Sequence, residues 1–357
     1  MTKKYTIKDI AQLAGVSAGT VDRVIHDRGE VSPEARKKVE DVFEQINYIP
    51  RTHSKTQESS RKVRILVILP QYQEDEYWDH INKGIERAHT HFSSYNLDIS
   101  YLYYDQFDAI VCRKIYQQAL TMRKDAVILG PSFDSETVEF TRHLDDDHIP
   151  YVFVDTGIDD THPLCIYSPH NFQSGFVLAR LLTAILDKDK DVVLFQAKRT
   201  GDKMSVCTAE RQKGLVAHLD AASPETKIYQ AQYDKGDSDE NTRLMDEFFA
   251  AHANIGGAVV FNSRAYLLAE YFKKRNIRHV KLVGFGVNAP NTQFLKEGLI
   301  SFLIEERPKY QGYMAVKSLI EFLFFGIRPH ILNYTPIDII IKETVDFYRT
   351  PSLAFVF

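Results

Sequence analysis

The chain has 357 residues, 44% of them hydrophobic and 12% aromatic, which excludes wholesale disorder and predicts more than one domain. Its formal net charge of −4 is unevenly spread: residues 1–62 hold twelve Lys/Arg against nine Asp/Glu, a net of +3, and the remainder carries −7. A short basic arm on a large acidic body points to a polyanionic partner for the arm.

In chain order, three compact helices are predicted first. Thr6 caps a helix over Ile7–Ala14, with Asp9 as its capping-box partner, and Gly15 supplies the left-handed exit. Ser17 caps a second helix, Ala18–His26, after a three-residue turn. Ser32-Pro33-Glu34 opens a third, with cap, proline and early carboxylate in order. Ala35, Val39, Val42, Phe43 and Ile46 recur on one face of it. Ile10, Leu13, Val16, Val21 and Val24 are expected to face them in one small core. Residues 51–62, RTHSKTQESSRK, carry no aliphatic or aromatic side chain and read as a linker.

Beyond the linker, strands near Val63–Leu69, Leu97–Tyr103, Ala126–Leu129, Tyr151–Val154, Val192–Phe195, Ala258–Phe261 and Lys281–Val283 alternate with helical runs. The clearest are Tyr77–Phe92, Asp108–Met122, Phe172–Leu186, Cys207–Leu219 and Tyr266–Arg275. Such alternation predicts parallel sheets wound with helices on both faces, and some 290 residues predict two α/β lobes with the ligand between them. The Asp145-Asp146-Asp147-His148 run reads as a solvated loop. Cys112, Cys165 and Cys207 are too far apart for a disulfide framework and read as buried reduced thiols. Met1–Lys8 is polar where a signal peptide would be apolar, and Ile320–Ile327 is interrupted by Glu321 and too short to span. A soluble, cytoplasmic protein is expected. The tail after Asn333 lacks a heptad repeat, which speaks against a tetramerising coiled coil.

The stretch TIKDIAQLAGVSAGTVDRVI, Thr6 to Ile25, has the proportions of a helix-turn-helix whose second helix enters the major groove. Ala18, Gly19 and Arg23 lie on its first turns. Only Arg23 carries a fork that can bond O6 and N7 of guanine. Ser17 and Thr20 are candidate phosphate contacts. Taken alone, the same stretch is also compatible with an ordinary helical hairpin.

TIKDIAQLAGVS, TVDRVI, VSPEARKKV and INYIP, in this order over Thr6–Pro50, resemble the lac-repressor (LacI/GalR) family of transcriptional regulators. The body is similar to that family's effector domain and to periplasmic sugar-binding proteins of the ribose-binding type. The stretches that carry this are YWDHINKGIERA, AVILGPS, IPYVFVDT, PHNFQSGFVLARLL, ERQKGL, VVFNS, KLVGFG and RPKYQGYMAVKSL. The resemblance implies a DNA-binding regulator with a helix-turn-helix head (1–50), a linker or hinge (51–62) and a two-lobed effector and dimerisation domain (63–357). It also implies a homodimer on a roughly palindromic operator, a sugar-like effector, and neither cofactor nor metal. Thr6, Ser17, Ala18, Gly19, Thr20, Arg23, Arg51 and Lys55 become the candidate DNA contacts. Tyr77, Trp78, Asp155, Asn171, Arg211, Asn262, Phe285 and Glu306 become the effector-site candidates. Read alone, Trp78 is equally a core residue, Arg211 a surface charge and Asp155 a cap.

Departures from the family are informative. Gly286 follows Gly284-Phe285 where an aspartate is common, Glu306 replaces a frequent glutamine, and Thr156 stands where ribose binders place an arginine. Gln57 occupies the linker position of a minor-groove leucine, so weaker hinge-driven bending is expected, with Arg51, Lys55, Arg61 and Lys62 on phosphates. Asp22 replaces a serine found in many relatives. Two rival readings share part of the pattern: a sugar receptor with no DNA role, and an enzyme using a nucleotide cofactor. The latter rests on Gly284-x-Gly286-x-x-Ala289, which follows a predicted strand in G-x-G-x-x-A spacing but is met at once by Pro290. His89 and His91, two apart, make a poor metal pair on a helix.

Overall fold

The computed structural model describes residues 5–26, 31–46, 62–200, 204–234 and 238–348. It separates into two units, Met1–Lys62 with Ser94–Asn96, whose first part is the head, and Val63–Ser93 with Leu97–Phe357, the body. In the head, α1 spans Ile7–Ala14, α2 Ala18–His26 and α3 Pro33–Gln45. Each start is held by a side chain. The Thr6 hydroxyl accepts from the Asp9 N–H at 3.3 Å while the Asp9 carboxylate accepts from the Thr6 N–H at 2.7 Å. Ser17 accepts from the Thr20 N–H at 3.0 Å, and Ser32 from the Ala35 N–H at 3.2 Å. Gly15 ends α1 at φ 64°. Ile10, Ala14, Val21, Val24, Val39 and Val42 form the shared core. Leu13 departs from expectation: it is 54% exposed, because the buried stripe of α1 runs through Ile10, Ala11 and Ala14 and leaves Leu13 beside it.

The body holds two six-stranded sheets. Lobe 1 starts with β1 (Val63–Pro70), α4 (Tyr77–His91), β2 (Leu97–Tyr104), α5 (Ala109–Thr121), β3 (Ala126–Leu129), α6 (Asp134–Asp146), β4 (Tyr151–Val154) and β5 (Cys165–Ser168). The chain then crosses to lobe 2. There it lays down α7 (Asn171–Thr183), β6 (Asp191–Ala197), α8 (Val206–Ala222), β7 (Ile228–Tyr233), α9 (Ser238–Ala251) and β8 (Ile255–Val260). The lobe continues with α10 (Ala265–Arg275), β9 (Lys281–Phe285), α11 (Ala289–Lys296) and β10 (Ile300–Glu305). It returns to lobe 1 for α12 (Pro308–Phe325) and β11 (Leu332–Tyr334), and crosses a third time for β12 (Asp338–Ile340) and α13 (Val345–Tyr348).

The two sheets share one plan, β2-β1-β3-β4-β5-β11 and β7-β6-β8-β9-β10-β12. All pairs are parallel except β10–β12. In doubly wound sheets the ligand crevice lies beyond the carboxyl ends of the strands, where the strand order reverses. Asp155 follows β4, Ala197 ends β6, Phe261 follows β8 and Phe285 ends β9, so those ends from both lobes converge on one cavity. The Asp145–His148 run is not simply a loop. Its first two residues complete the last turn of α6, Asp147 caps it, and His148 turns the chain at φ 55°. The three cysteines are buried and free.

Each lobe is knitted by a helix pair in glycine contact. A Cβ on Gly84 of α4 would sit 2.1 Å from the Lys309 carbonyl oxygen, and one on Gly312 of α12 would sit 2.1 Å from that of Ile81. In lobe 2, Gly175 of α7 and Gly214 of α8 would meet the carbonyl oxygens of Arg211 and Phe172 at 1.9 Å. Both pairs therefore pack backbone on backbone.

Candidate effector cleft and DNA-reading helix

On the head, Ser17, Ala18, Gly19 and Arg23 are exposed and Thr20 is half-buried, all around the start of α2. The Ser17 and Thr20 hydroxyls are 2.9 Å apart, so the pair proposed for phosphate is already linked to itself and to the helix end. Thr6 stands at the start of α1 in the same sense. Arg51 and Lys55, with Gln57 and Arg61 of the linker, lie outside the described residues.

In the body, a cavity of about 110 Å³ lies between the lobes. Tyr77 and Trp78 reach it from the first turn of α4, where their rings meet edge to face at 5.3 Å. Trp78 is seated over Gly130, whose missing side chain leaves the room: a Cβ there would come within 2.4 Å of the indole. Phe107, Phe195, Phe261 and Phe285 add further apolar wall.

Arg211 is the hub of the polar floor. Its Nε donates to Asn171 Oδ1 at 3.1 Å, Nη1 to the Phe261 carbonyl at 2.6 Å and Nη2 to Glu306 Oε2 at 2.6 Å. Its guanidinium lies 4.2 Å from the Phe285 ring centroid. Burial works against that charge, but Cys207, Glu306, Asp155 and Tyr77 together raise its pKa. Glu306 itself is pushed up to about 7 by burial, which outweighs the pull of Arg211; Asp155 and Glu305 add to the rise. The second oxygen of Glu306, Oε1, is buried without a hydrogen-bond partner among the described residues, as is the Ser174 hydroxyl. Asn171 does not line the cavity. It stands one layer behind, accepting from Arg211 and from Cys207 Sγ at 3.2 Å and donating to the Asp155 carbonyl at 3.3 Å.

Asp155 is held in the left-handed region at φ 76°. Its N–H is shared between the Tyr167 carbonyl (3.0 Å) and Gln311 Oε1 (2.9 Å), and its carbonyl accepts from Ser168 and Asn171. Four hydrogen bonds to its backbone, three of them from side chains, thus stabilise a conformation that a non-glycine residue rarely adopts. Burial raises the carboxyl's pKa, opposed by Arg211 and the Tyr77 hydroxyl. Asn262 is braced by Tyr233 (2.9 Å) and by the Arg264 N–H (3.0 Å).

Seven of the eight side chains expected at the effector site line this one cavity, and Asn171 supports it. Sequence reasoning passed over Glu76, Arg199, Arg264 and Gln311. Gln311 lies inside a quoted stretch, RPKYQGYMAVKSL, whereas Arg199 belongs to a polar loop with no periodicity. Several of these hold the lobes together. Arg264 pairs with Glu76 at 3.2 Å, Arg199 donates to the Ser132 carbonyl at 2.8 Å, and the Thr200 N–H donates to Phe107 at 2.9 Å. The Ala289 N–H donates to Asp75 Oδ2 at 2.6 Å.

Gly286, at φ 80°, accounts for the missing carboxylate. A Cβ there would lie 2.7 Å from that of Ser263, so both conformation and space call for glycine. The dinucleotide-like spacing also has a structural explanation. Gly284 packs on Ala265, Asn288 caps α11, and the first free N–H of that helix is taken by Asp75, where a fingerprint would hold pyrophosphate. Among the described residues, no group of three or more His, Cys, Asp or Glu could hold a metal ion, and no helix is long and apolar enough to cross a membrane.

Residues 6–51 match the family model for bacterial regulatory proteins of the lacI family, and residues 65–325 match that of the periplasmic binding protein domain. A solved structure described as a LacI transcriptional regulator from Bacteroides fragilis is 30% identical, with a TM-score of 0.77, over 81% of this chain and all of that one. The chain belongs to the lacI family of bacterial regulatory proteins. Among curated relatives of this family member, a protein named as the HTH-type transcriptional repressor ExuR of Bacillus subtilis (strain 168) is 30% identical over 43% of this chain and 44% of its own length. Catabolite control protein A of Staphylococcus epidermidis is 27% identical over 44% of this chain and 46% of its own. The chain thus matches less than half the length of these two relatives. The glucose-galactose binding protein GanP of Geobacillus stearothermophilus shares the body's fold, with a TM-score of 0.69 at 18% identity, 79% of this chain and 99% of that one being covered.

Proposed function

We propose that this lacI-family protein is a sequence-specific DNA-binding repressor whose operator affinity is set by a small carbohydrate bound between the lobes of its body. The observation that carries the reading is the joining, in one chain, of a capped helix-turn-helix that matches the lacI model to a body whose strand ends enclose an aromatic-walled polar cavity. Aromatic faces suit the C–H faces of a sugar, and planar polar groups suit its hydroxyl rim. The protein acts in the cytoplasm as a homodimer on a roughly palindromic operator, since one head with a single base-reading arginine makes too few contacts alone. Ligand binding alters how the lobes close and hence how the heads are spaced, which couples sugar to DNA affinity. It is not an enzyme in this reading. The α11 N-terminus, the one place that suggested a nucleotide, already has a carboxylate on it.

Gel shifts on the DNA upstream of its own gene, with and without candidate sugars, test this. Sequence-preferring binding that changes with a sugar is expected; its reproducible absence would sink the regulator reading. Arg23→Ala should weaken operator binding by roughly 1–3 kcal/mol while leaving ligand affinity unchanged. Undiminished operator affinity in that variant would remove Arg23 as the reader.

A further inference from the structure

Among the described residues, three guanidinium groups and three carboxyl groups line the cavity: Arg199, Arg211 and Arg264 against Glu76, Asp155 and Glu306. Two couples are made, Arg211 with Glu306 and Arg264 with Glu76. Arg199 and Asp155 are left over. Among the described residues, Arg199 makes one hydrogen bond, from Nη2 to the neutral Ser132 carbonyl, and stacks 4.4 Å from the Phe133 ring. Its Nε is buried with no acceptor. Burial pulls its pKa down against the smaller opposing effects of Tyr104, Cys112, Asp105 and Asp134, as expected for a cation with too little counter-charge close by.

The two leftover groups are not equivalent. A buried carboxyl can relieve itself by taking a proton, and the Asp155 pKa is already raised in that direction. A guanidinium has no such escape, so Arg199 keeps its charge and calls for an acceptor from outside. Asp155, a carboxyl that lines the cavity beside Tyr77 and can accept from a hydroxyl or, when protonated, donate to one, is suited to sugar hydroxyls.

We infer that the ligand of this cavity is a sugar bearing one anionic group, the anion lying on Arg199 and hydroxyls on Asp155. This rests on the sugar-sensing reading above and narrows it. Because Arg199 belongs to lobe 2 and its Ser132 partner to lobe 1, an anion there would also reinforce the closed lobes. A carboxylate and a phosphate would both satisfy the guanidinium, which can bond either through two parallel N–H groups.

Calorimetric titration of the full chain with D-glucose, D-galactose, D-glucuronate, D-galacturonate, glucose 6-phosphate and glucosamine tests the inference. At least one acid or phosphate should bind about tenfold or more tightly than its neutral parent, since charge-assisted pairs are about twice as strong as neutral ones. The uronates and the sugar phosphate separate the two anion types. Arg199→Met should abolish the margin, so that the acid and its neutral parent bind that variant equally well whatever their common affinity, and Arg199→Lys should restore part of the margin. A neutral sugar or glucosamine binding as tightly as any acid would overturn the inference. So would a margin that survives Arg199→Met, or no binding by any of the six. Neutral sugars that move operator binding while acids do not would leave the regulator reading standing and remove only the anion.

Discussion

The two lobes solve one packing problem in the same way and then diverge in electrostatics. Each joins two helices through a pair of glycines that admit a neighbouring carbonyl oxygen at about 2 Å from where a Cβ would be. Each contact also plants a planar polar side chain near the crossings. In lobe 1 it is Gln311, next to Gly312, which accepts from the Asp155 N–H and donates to the Glu306 carbonyl (3.0 Å) and the Tyr77 hydroxyl (3.2 Å). In lobe 2 it is Arg211, one turn before Gly214, which needs the Glu306 carboxylate. The neutral hub is indifferent to protonation; the charged one is not. A shared backbone solution therefore leaves the electrostatic sensitivity of the cleft concentrated on the Arg211 side.

The strongest way to break the shared part of this comparison is to add side chains at the glycines. Gly214→Val and Gly312→Val should each cost more than about 4 kcal/mol, because no rotamer moves a Cβ away from backbone. Soluble yield and urea unfolding would show it, and near-normal stability in either variant would refute the close packing there. The divergent part is sharpened by replacing the two hubs. Arg211→Met leaves Glu306 buried without its partner and should cost about 3–5 kcal/mol, against about 1–2 kcal/mol for Gln311→Met, which breaks neutral hydrogen bonds only. Equal losses would erase the proposed difference between lobes.

A smaller effect concerns Glu305, beside the second crossing. Burial raises its carboxyl from the ordinary 4.5 to about 7, outweighing the Val287 N–H that it accepts at 2.6 Å. Between those two pH values the folded protein holds a proton that the unfolded chain has released. The stability this group contributes is therefore present below about pH 4.5 and lost as pH rises through about 7. Glu305→Gln should remove that slope and stabilise the protein above pH 7 by roughly 1–3 kcal/mol. Urea titrations at pH 5 and pH 8 would reveal it as a variant whose advantage exists only at the higher pH.

Local signals were the most legible. The α1 and α2 boundaries coincide with Thr6, Gly15 and Ser17 because caps and left-handed exits depend on a few adjacent residues. The buried strands β3 and β4 were equally clear as apolar runs. Sequence alone did not separate β7, whose IYQAQY lies half exposed at a sheet edge, or β11 and β12, three residues each. These strands owe their form to pairing with distant partners rather than to a period of their own. Within the cleft, aromatic and charged residues inside family-like stretches could be named in advance, though not that Asn171 would stand behind Arg211 rather than beside the ligand. Arg199 lay in a loop with no pattern to read. Leu13 shows the converse: periodicity marked it as apolar, but only the geometry of three helices decides which flank of the stripe is covered.

The third crossing has a consequence for the order in which the molecule can be made. Lobe 1 is missing α12 and β11 until residues 308–334 have been added, and lobe 2 is missing its edge strand β12 until residue 340. Both sheets of the body are thus sealed by the same stretch, residues 308–340. While the ribosome is still at work, β5 and β10 present open edges of the kind that invite pairing with other chains. The head, whose three short helices draw only on its first residues, faces no such wait.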